Sequence, residues 1–333
     1  MDSSRMRFGL LLPNQGVVFG ATTVPELLDM ARTAETSGVF DTVFVGDSLL
    51  AKPRLESVAV LSAVAAVTRR VRLGTACMAS FPLRHPIVLA AQWSALDSLS
   101  HGRTVLVVCI GGGGSGGQVA GDFDREYQAF GIDPSERAGR LEEGIEVLRT
   151  LWTQDPATHH GRFFTFDGIS VRPRPVQRPC PPIWIANNPH VFGARPDVVR
   201  RTVERVGRLA DGWMTVMATP GQFRDSWEAI RTAARANGRD PDRMESSLYY
   251  NVNVAENRRE AFAETKRFLD QYYSTDFSEQ RIEGWTAYGP PSECAAKIRE
   301  YASVGVQTLN IRFTSYDQGA QLRRFLADVV PQI

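Results

Sequence analysis

Several stretches of this chain carry residue types that can do chemistry at the ends of strand-like runs. Gly111-Gly112-Gly113-Gly114-Ser115-Gly116-Gly117 directly follows the apolar run Thr104–Ile110. Glycines there tolerate positive φ and let backbone N–H groups close on an anion, which points to an enzyme with a phosphate-bearing cofactor. Gly111 and Gly112 are expected to turn the strand end beside that cofactor, with 114–121 as a flap over the site. Asp47 follows the run Thr42–Val45, where a carboxylate acts either as general base or hydrogen-bond acceptor, or as a cap for the next helix. Asn187 and Asn188 follow Ile183–Ala186, and amide side chains tolerate left-handed backbone and donate two hydrogen bonds. His85 precedes Pro86 and is expected to shape a helix start, and His101 lies in a helix-to-strand turn. His159-His160 has no third ligand at metal spacing, so no zinc site is expected.

These residues need a frame, and the alternation of elements supplies one. Strands are expected at Met6–Leu12, Thr42–Val45, Val71–Met78, Thr104–Ile110, Ile183–Ala186, Gly212–Val216, Ser247–Val254 and Thr308–Phe313. Helices fall between them at Val24–Ser37, Ser57–Val67, Pro86–Leu99, Pro134–Trp152, Asp197–Leu209, Gly221–Asn237, Arg258–Tyr273, Ser292–Val304 and Gln318–Val330. The first shows the 3–4 spacing of Val24, Leu27, Leu28 and Ala31, and Gly38 stops it. Eight strands with helices between them predict an α/β fold, a (β/α)8 TIM barrel of one domain over 1–333, with insertions after strands 4 and 7. The insertions are the excursions at 155–182, which contains a small hairpin around Gly161–Val171, and at 274–288. An open doubly wound sheet is the rival, weakened because Leu11-Leu12-Pro13-Asn14-Gln15-Gly16 stands where a Gly-x-Gly-x-x-Gly would follow the first strand.

Composition narrows the partners. The chain has 333 residues, 43% hydrophobic and 23% charged, enough to bury a large core, and its formal net charge of +1 gives no bulk field for nucleic acid or an anionic membrane. Four scattered cysteines without a CxxC pair, no apolar signal core near the N-terminus and no long apolar run lead to an expected cytoplasmic protein with reduced thiols.

Seven segments, in order along nearly the whole chain, resemble the bacterial-luciferase-like flavin-dependent oxidoreductases, which include FMN monooxygenases and deazaflavin F420-dependent dehydrogenases and reductases. They are Arg7-Phe8-Gly9-Leu10-Leu11-Leu12-Pro13; Ala34-Glu35-Thr36-Ser37-Gly38-Val39-Phe40-Asp41-Thr42-Val43-Phe44; Arg70-Val71-Arg72-Leu73-Gly74-Thr75; Arg84-His85-Pro86; Leu96-Asp97-Ser98-Leu99-Ser100-His101-Gly102-Arg103; Ala210-Asp211-Gly212-Trp213; and Gly289-Pro290-Pro291-Ser292-Glu293.

The resemblance implies a flavin at the carboxyl rim of the barrel. It implies that Met78-Ala79-Ser80 forms the back wall of the ring, that Tyr127 either reaches the cofactor phosphate or packs, and that Asn187 and Asn188 hold that phosphate. Asp47 would face the substrate side, and Arg281, in an insertion with Trp285 and Tyr288, would either clamp an anionic substrate or sit as a solvated lid charge. The leading function is monooxygenation of a small organic substrate with O2 and reduced FMN supplied by a partner reductase. The alternatives are F420-dependent hydride transfer and a non-catalytic flavin-binding barrel. Relatives of this kind form homodimers.

Overall fold

The computed structural model describes residues 6–112, 122–192 and 195–333. In chain order its strands are β1 (Arg7–Leu12), β2 (Phe40–Val45), β3 (Arg72–Thr75), β4 (Thr104–Val108), β5 (Ala157–His160), β6 (Thr165–Ile169), β7 (Ile183–Ala186), β8 (Gly212–Val216), β9 (Glu245–Val254), β10 (Thr286–Gly289) and β11 (Thr308–Phe313). Eight of them run parallel in the order β9-β11-β1-β2-β3-β4-β7-β8, and β8 pairs back onto β9, closing the barrel. β5 and β6 form an antiparallel hairpin in the first excursion. The helices are α1 (Val24–Ser37), α2 (Ser57–Val67), α3 (Pro86–Leu99), α4 (Phe123–Ala129), α5 (Arg137–Thr153), α6 (Pro196–Leu209), α7 (Pro220–Ala236), α8 (Arg258–Tyr273), α9 (Glu279–Trp285), α10 (Pro291–Ser303) and α11 (Gln318–Arg324).

Local chemistry sets the boundaries. α1 opens on a reciprocal cap, with Thr23 and Glu26 each accepting from the other's backbone N–H, and ends at Gly38 with φ 67°. The apolar stripe between them buries Leu27, Met30, Ala31 and Ala34 against the sheet. α3 starts where His85 Nδ1 accepts from the Ile87 amide, as its position before Pro86 implied. Inside the barrel, the Phe44 ring fills the axis because Gly9 and Gly74 flank it. A Cβ at either would fall 2.7 or 2.8 Å from the ring, too close for any side chain.

Two expectations are corrected. β3 ends at Thr75 rather than Met78, because the chain leaves the ladder at a cis Ala76–Cys77 bond and touches β4 again only at Met78–Val108. The second excursion is not irregular: α9, capped by Ser278, and β10, which pairs with the outer half of β9, stand within it. Seven and four residues are too short to show a period.

The two ends of the barrel differ in charge balance. At the amino end Glu245 takes hydrogen bonds from Arg7 (2.6 Å) and Arg72 (2.9 Å). Burial works against its charge, but the two guanidiniums hold its carboxyl below the ordinary glutamate value. At the carboxyl end, where loops converge, Arg84 is paired with Asp47 and Glu56, but Lys52, Arg54 and Arg312 have no carboxylate at ion-pair distance among the described residues.

Candidate functional site at the carboxyl end of the barrel

Asp47 leaves β2 as expected, but all its acceptor capacity is spent. It receives Ser57 Oγ (2.7 Å), the Ser80 amide (2.9 Å), Ser80 Oγ (2.6 Å) and Arg84 Nη2 (2.9 Å). Arg84 in turn bonds Ser80 Oγ and Glu56. This buried network ties β2 to the start of α2 and to the turn after β3. α2 itself is capped by Glu56, which accepts from the Ala59 amide, so Asp47 is a hydrogen-bond acceptor that clamps the loops, with no lone pair free to take a substrate proton.

The loop from Ser48 to Leu55 is pinned from three sides. Glu126 of α4 directs Oε1 at the amides of Leu49, Leu50 and Ala51 (2.9, 2.6 and 3.2 Å). Ser48 Oγ accepts from the Lys52 amide, and Asn14 Nδ2 donates to Gly46 O and Leu55 O. Because one carboxylate oxygen replaces water for three amides, Glu126→Gln should lower stability by about 2 kcal/mol. Urea denaturation measures this, and hydrogen exchange should show the deprotection confined to 49–51.

Beside this loop lies a shelf built by the ends of β3 and β4. Ala76, Cys77 and Ile110 are partly exposed there, and the Met78 amide donates to Val107 O (2.7 Å). Cys77 and Cys109 place their sulfurs 2.6 Å apart, and this contact, with burial, pushes the Cys77 thiol pKa up. Gly111 has φ 74°, and a Cβ on it would lie 2.8 Å from Ala79 O. Only glycine lets the β4 strand end press so closely against the Ala79 turn.

Across the mouth stands a set of cations that the sequence reading passed over. Arg312, on β11, is 3% exposed; Nε donates to Asn251 Oδ1 (2.9 Å), Nη1 to Tyr273 Oη (3.1 Å), and Nη2 has no hydrogen-bond partner. Its guanidinium lies 4.4 Å from the Tyr272 ring centre and 5.0 Å from that of Tyr249. Lys52 is 8% exposed, with Nζ 4.3 Å from the Tyr273 ring centre and 5.6 Å from that of Phe123. Arg54 binds Gln15 Oε1 (2.8 Å) and Tyr272 Oη (3.3 Å). Burial, then Arg54 and Arg312, bring the Lys52 ammonium down to about 6. Tyr272 reports the same field: burial raises its pKa, yet Arg54 and Arg312 more than cancel that and leave it lowered. Asn310 and Tyr249, register partners one step deeper in the barrel, have buried side-chain polar atoms without partners.

The residues expected at the site divide into two groups. Met78 and Ser80 are fully buried, backbone included, and Ala79 is the accessible member of the three. Tyr127 takes the packed alternative, buried with its hydroxyl donating to Ile110 O (3.0 Å) beside Gly111. Asn187 is spent on Thr202 O and Trp213 Nε1, also a structural role. Asn188 accepts from Thr215 Oγ1 and the Val216 amide but leaves its NH2 without a partner among the described residues. Gly112 would clash with Phe123 if it carried a Cβ, and its carbonyl accepts from Arg137. Arg281, on α9, lies 4.4 Å from the Phe277 ring centre and 3.9 Å from Met217 Sδ, with no carboxylate at ion-pair distance among the described residues. The expected flap at 114–121 lies outside the described residues. His190 follows β7, and burial lowers its pKa, keeping it neutral at pH 7.

The comparisons with known proteins fit this barrel. The model of a family described as luciferase-like monooxygenase matches residues 6–308. The chain belongs to that family. Luciferase-like relatives include an F420-dependent glucose-6-phosphate dehydrogenase of Nakamurella multipartita, 28% identical over 92% of both chains, and one of Kineococcus radiotolerans, 25% identical over 92% of both. A solved monooxygenase, RslO1 from Streptomyces bottropensis, is 25% identical with a TM-score of 0.79 over 98% of this chain and 99% of its own. An F420-dependent secondary alcohol dehydrogenase, 19% identical with a TM-score of 0.79 over 98% of this chain and 99% of its own, shares the fold. The resemblance read from the sequence is thus borne out, and this luciferase-like protein is an oxidoreductase with a (β/α)8 fold. Among its described residues no helix is long and apolar enough to cross a membrane.

Proposed function

We propose that the chain is an F420-dependent oxidoreductase that exchanges hydride with a small organic substrate at the carboxyl rim. The observation that carries this reading is the end-to-end match to relatives named as F420-dependent dehydrogenases, each covering 92% of both chains. It moves the preference from reduced FMN, the leading expectation from sequence, to the deazaflavin. The residues fit such a group: a glycine-tight strand end, an apolar shelf, a free Asn188 amide and buried polar atoms without partners. When bound, the cofactor supplies a ring carbon that gives or takes hydride.

The chain's own part is position, dryness and charge. Ala76, Cys77 and Ile110 would offer an apolar face to the ring, and the turn at Gly111 and Gly112 with the Asn188 NH2 would hold polar parts of the cofactor. Tyr249, Tyr273, Phe277 and Trp285 exclude water from the opposite side, where their rings pack edge-on or tilted against one another. Arg281, stacked on Phe277 and free of carboxylates among the described residues, is placed to hold a substrate group.

FMN-dependent monooxygenation with a separate reductase is the second reading, favoured by the likeness to RslO1. Two assays separate them, anaerobic titration with F420 and aerobic turnover with reduced FMN. The proposal expects substrate-dependent bleaching of F420 absorbance without oxygen. Oxygen uptake coupled to product with reduced FMN, and no F420 bleaching, would support the second reading instead. Arg281→Ala should cut turnover at least tenfold while cofactor affinity stays within twofold; unchanged turnover would leave it a lid charge.

A further inference from the structure

We infer that Lys52 and Arg312, with the field of Arg54 behind them, form a built subsite for an oxyanion of the substrate, a phosphate or a carboxylate. The inference deepens the proposed function by naming the substrate class, and rests on it only in assigning the anion to substrate rather than cofactor.

Three independent features point to an anion. First, Lys52 and Arg312 are buried and Arg54 half-buried, and among the described residues no carboxylate reaches any of the three at ion-pair distance, whereas Glu245 pairs with Arg7 and Arg72 at the other end of the barrel. The Arg312 guanidinium stays charged at any working pH, and a buried charge without a partner is costly, so its retention at the mouth of a binding site calls for a mobile counter-ion. Second, hydrogen-bond capacity is left open where that ion would sit. Arg312 Nη2 is unpartnered and buried, and Tyr249 Oη and the Asn310 amide continue the open donors inward from it. Third, the surroundings orient the cations without quenching them. Asn251 and the Tyr273 hydroxyl fix two arms of the Arg312 fork, and the ring faces of Tyr249, Tyr272, Tyr273 and Trp285 enclose it. A fork held on two arms with the third unpaired presents a directed donor to an oxygen.

Lys52 adds a proton-linked element. The groups facing it are Arg54 on its own loop, Arg312 from β11, Cys77 from the β3 end, and the rings of Tyr273 and Phe123. Glu126 of α4 gives Oε1 to the amides of 49–51 and makes no ion pair with the ammonium, while its Oε2 is buried without a hydrogen-bond partner. With its pKa brought down to about 6, Lys52 is mostly neutral above that pH until an anion arrives. Oxyanion binding at pH 7.5 therefore takes up close to one proton.

The test uses the cofactor-free chain, so that failure of F420 to bind leaves it readable. Calorimetry at pH 7.5, in two buffers of different ionisation enthalpy, is run with inorganic phosphate, glucose 6-phosphate, acetate and glucose. The inference expects at least one oxyanion to bind with proton uptake while glucose does not. Lys52→Met should weaken that oxyanion at least tenfold and abolish the proton uptake. Arg312→Met should weaken it at least tenfold, and Arg312→Lys should recover part of the loss. F420 affinity should stay within twofold in all three variants. Absence of oxyanion binding to the wild-type chain would overturn the subsite. Competition between F420 and the oxyanion, with F420 weakened in the same variants, would overturn the assignment to substrate and give the site to the cofactor's phosphate.

Discussion

Lys52→Met is expected to make the protein more stable by up to about 5 kcal/mol at pH 7 while it loses oxyanion affinity. The ammonium is brought to about 6 in the folded chain by burial and by Arg54 and Arg312, against an ordinary value of 10.5. Between those two values the unfolded chain holds a proton that the folded chain has given up, so folding expels it. Stability contributed by this site therefore rises with pH from about 6 to 10.5, and the penalty is greatest below 6. Methionine keeps the length and the contacts with Tyr273 and Phe123 without the charge. The gain of the variant over wild type should be largest near pH 6 and shrink towards pH 10. Urea denaturation across that range measures it. A variant less stable than wild type at every pH would mean that Lys52 is paired in the folded protein and that the mouth is not an uncompensated cation site.

Asp47→Asn is expected to cost about 3 kcal/mol of folding stability, because one change removes the buried charge partner of Arg84. The new amide also turns a donor towards the Ser80 N–H, Ser80 Oγ or Ser57 Oγ, which now share the carboxylate. Any fall in turnover should follow the folded fraction, and the remaining folded molecules should keep their pH profile. Full stability with a loss of one limb of the pH–rate profile would instead restore Asp47 as the proton acceptor.

Much of the frame was legible because it rests on local rules. The bounds of α1, α2, α3 and α8 and of β7, β8 and β11 coincide with those read from capping residues, periodicity and glycine stops. The site was legible only in part. Asp47 and Asn187 were picked for being polar at strand ends and Tyr127 from the resemblance, yet each spends its polar atoms on neighbours well removed in sequence, which spacing cannot reveal. Lys52 was hidden because Ser48-Leu49-Leu50-Ala51-Lys52-Pro53-Arg54-Leu55 shows no period, and its partners come from β11 and α8. Arg312 did leave a trace. In Thr308-Leu309-Asn310-Ile311-Arg312-Phe313, three polar residues alternate with apolar ones, and in a closed barrel one parity of every strand points inwards. β9 carries the same mark at Asn251 and Asn253, and both are buried. Alternating polar residues in a barrel strand are a sign of a lined interior, to be read before any motif at the loops.

The central claim is that the carboxyl rim receives deazaflavin F420, and equilibrium titration following F420 fluorescence, with FMN as competitor, tests it most directly. The account predicts saturable, one-to-one binding of F420 at micromolar or lower concentration, with FMN displacing it only at much higher concentration. No change in F420 fluorescence, or displacement by equimolar FMN, would contradict it.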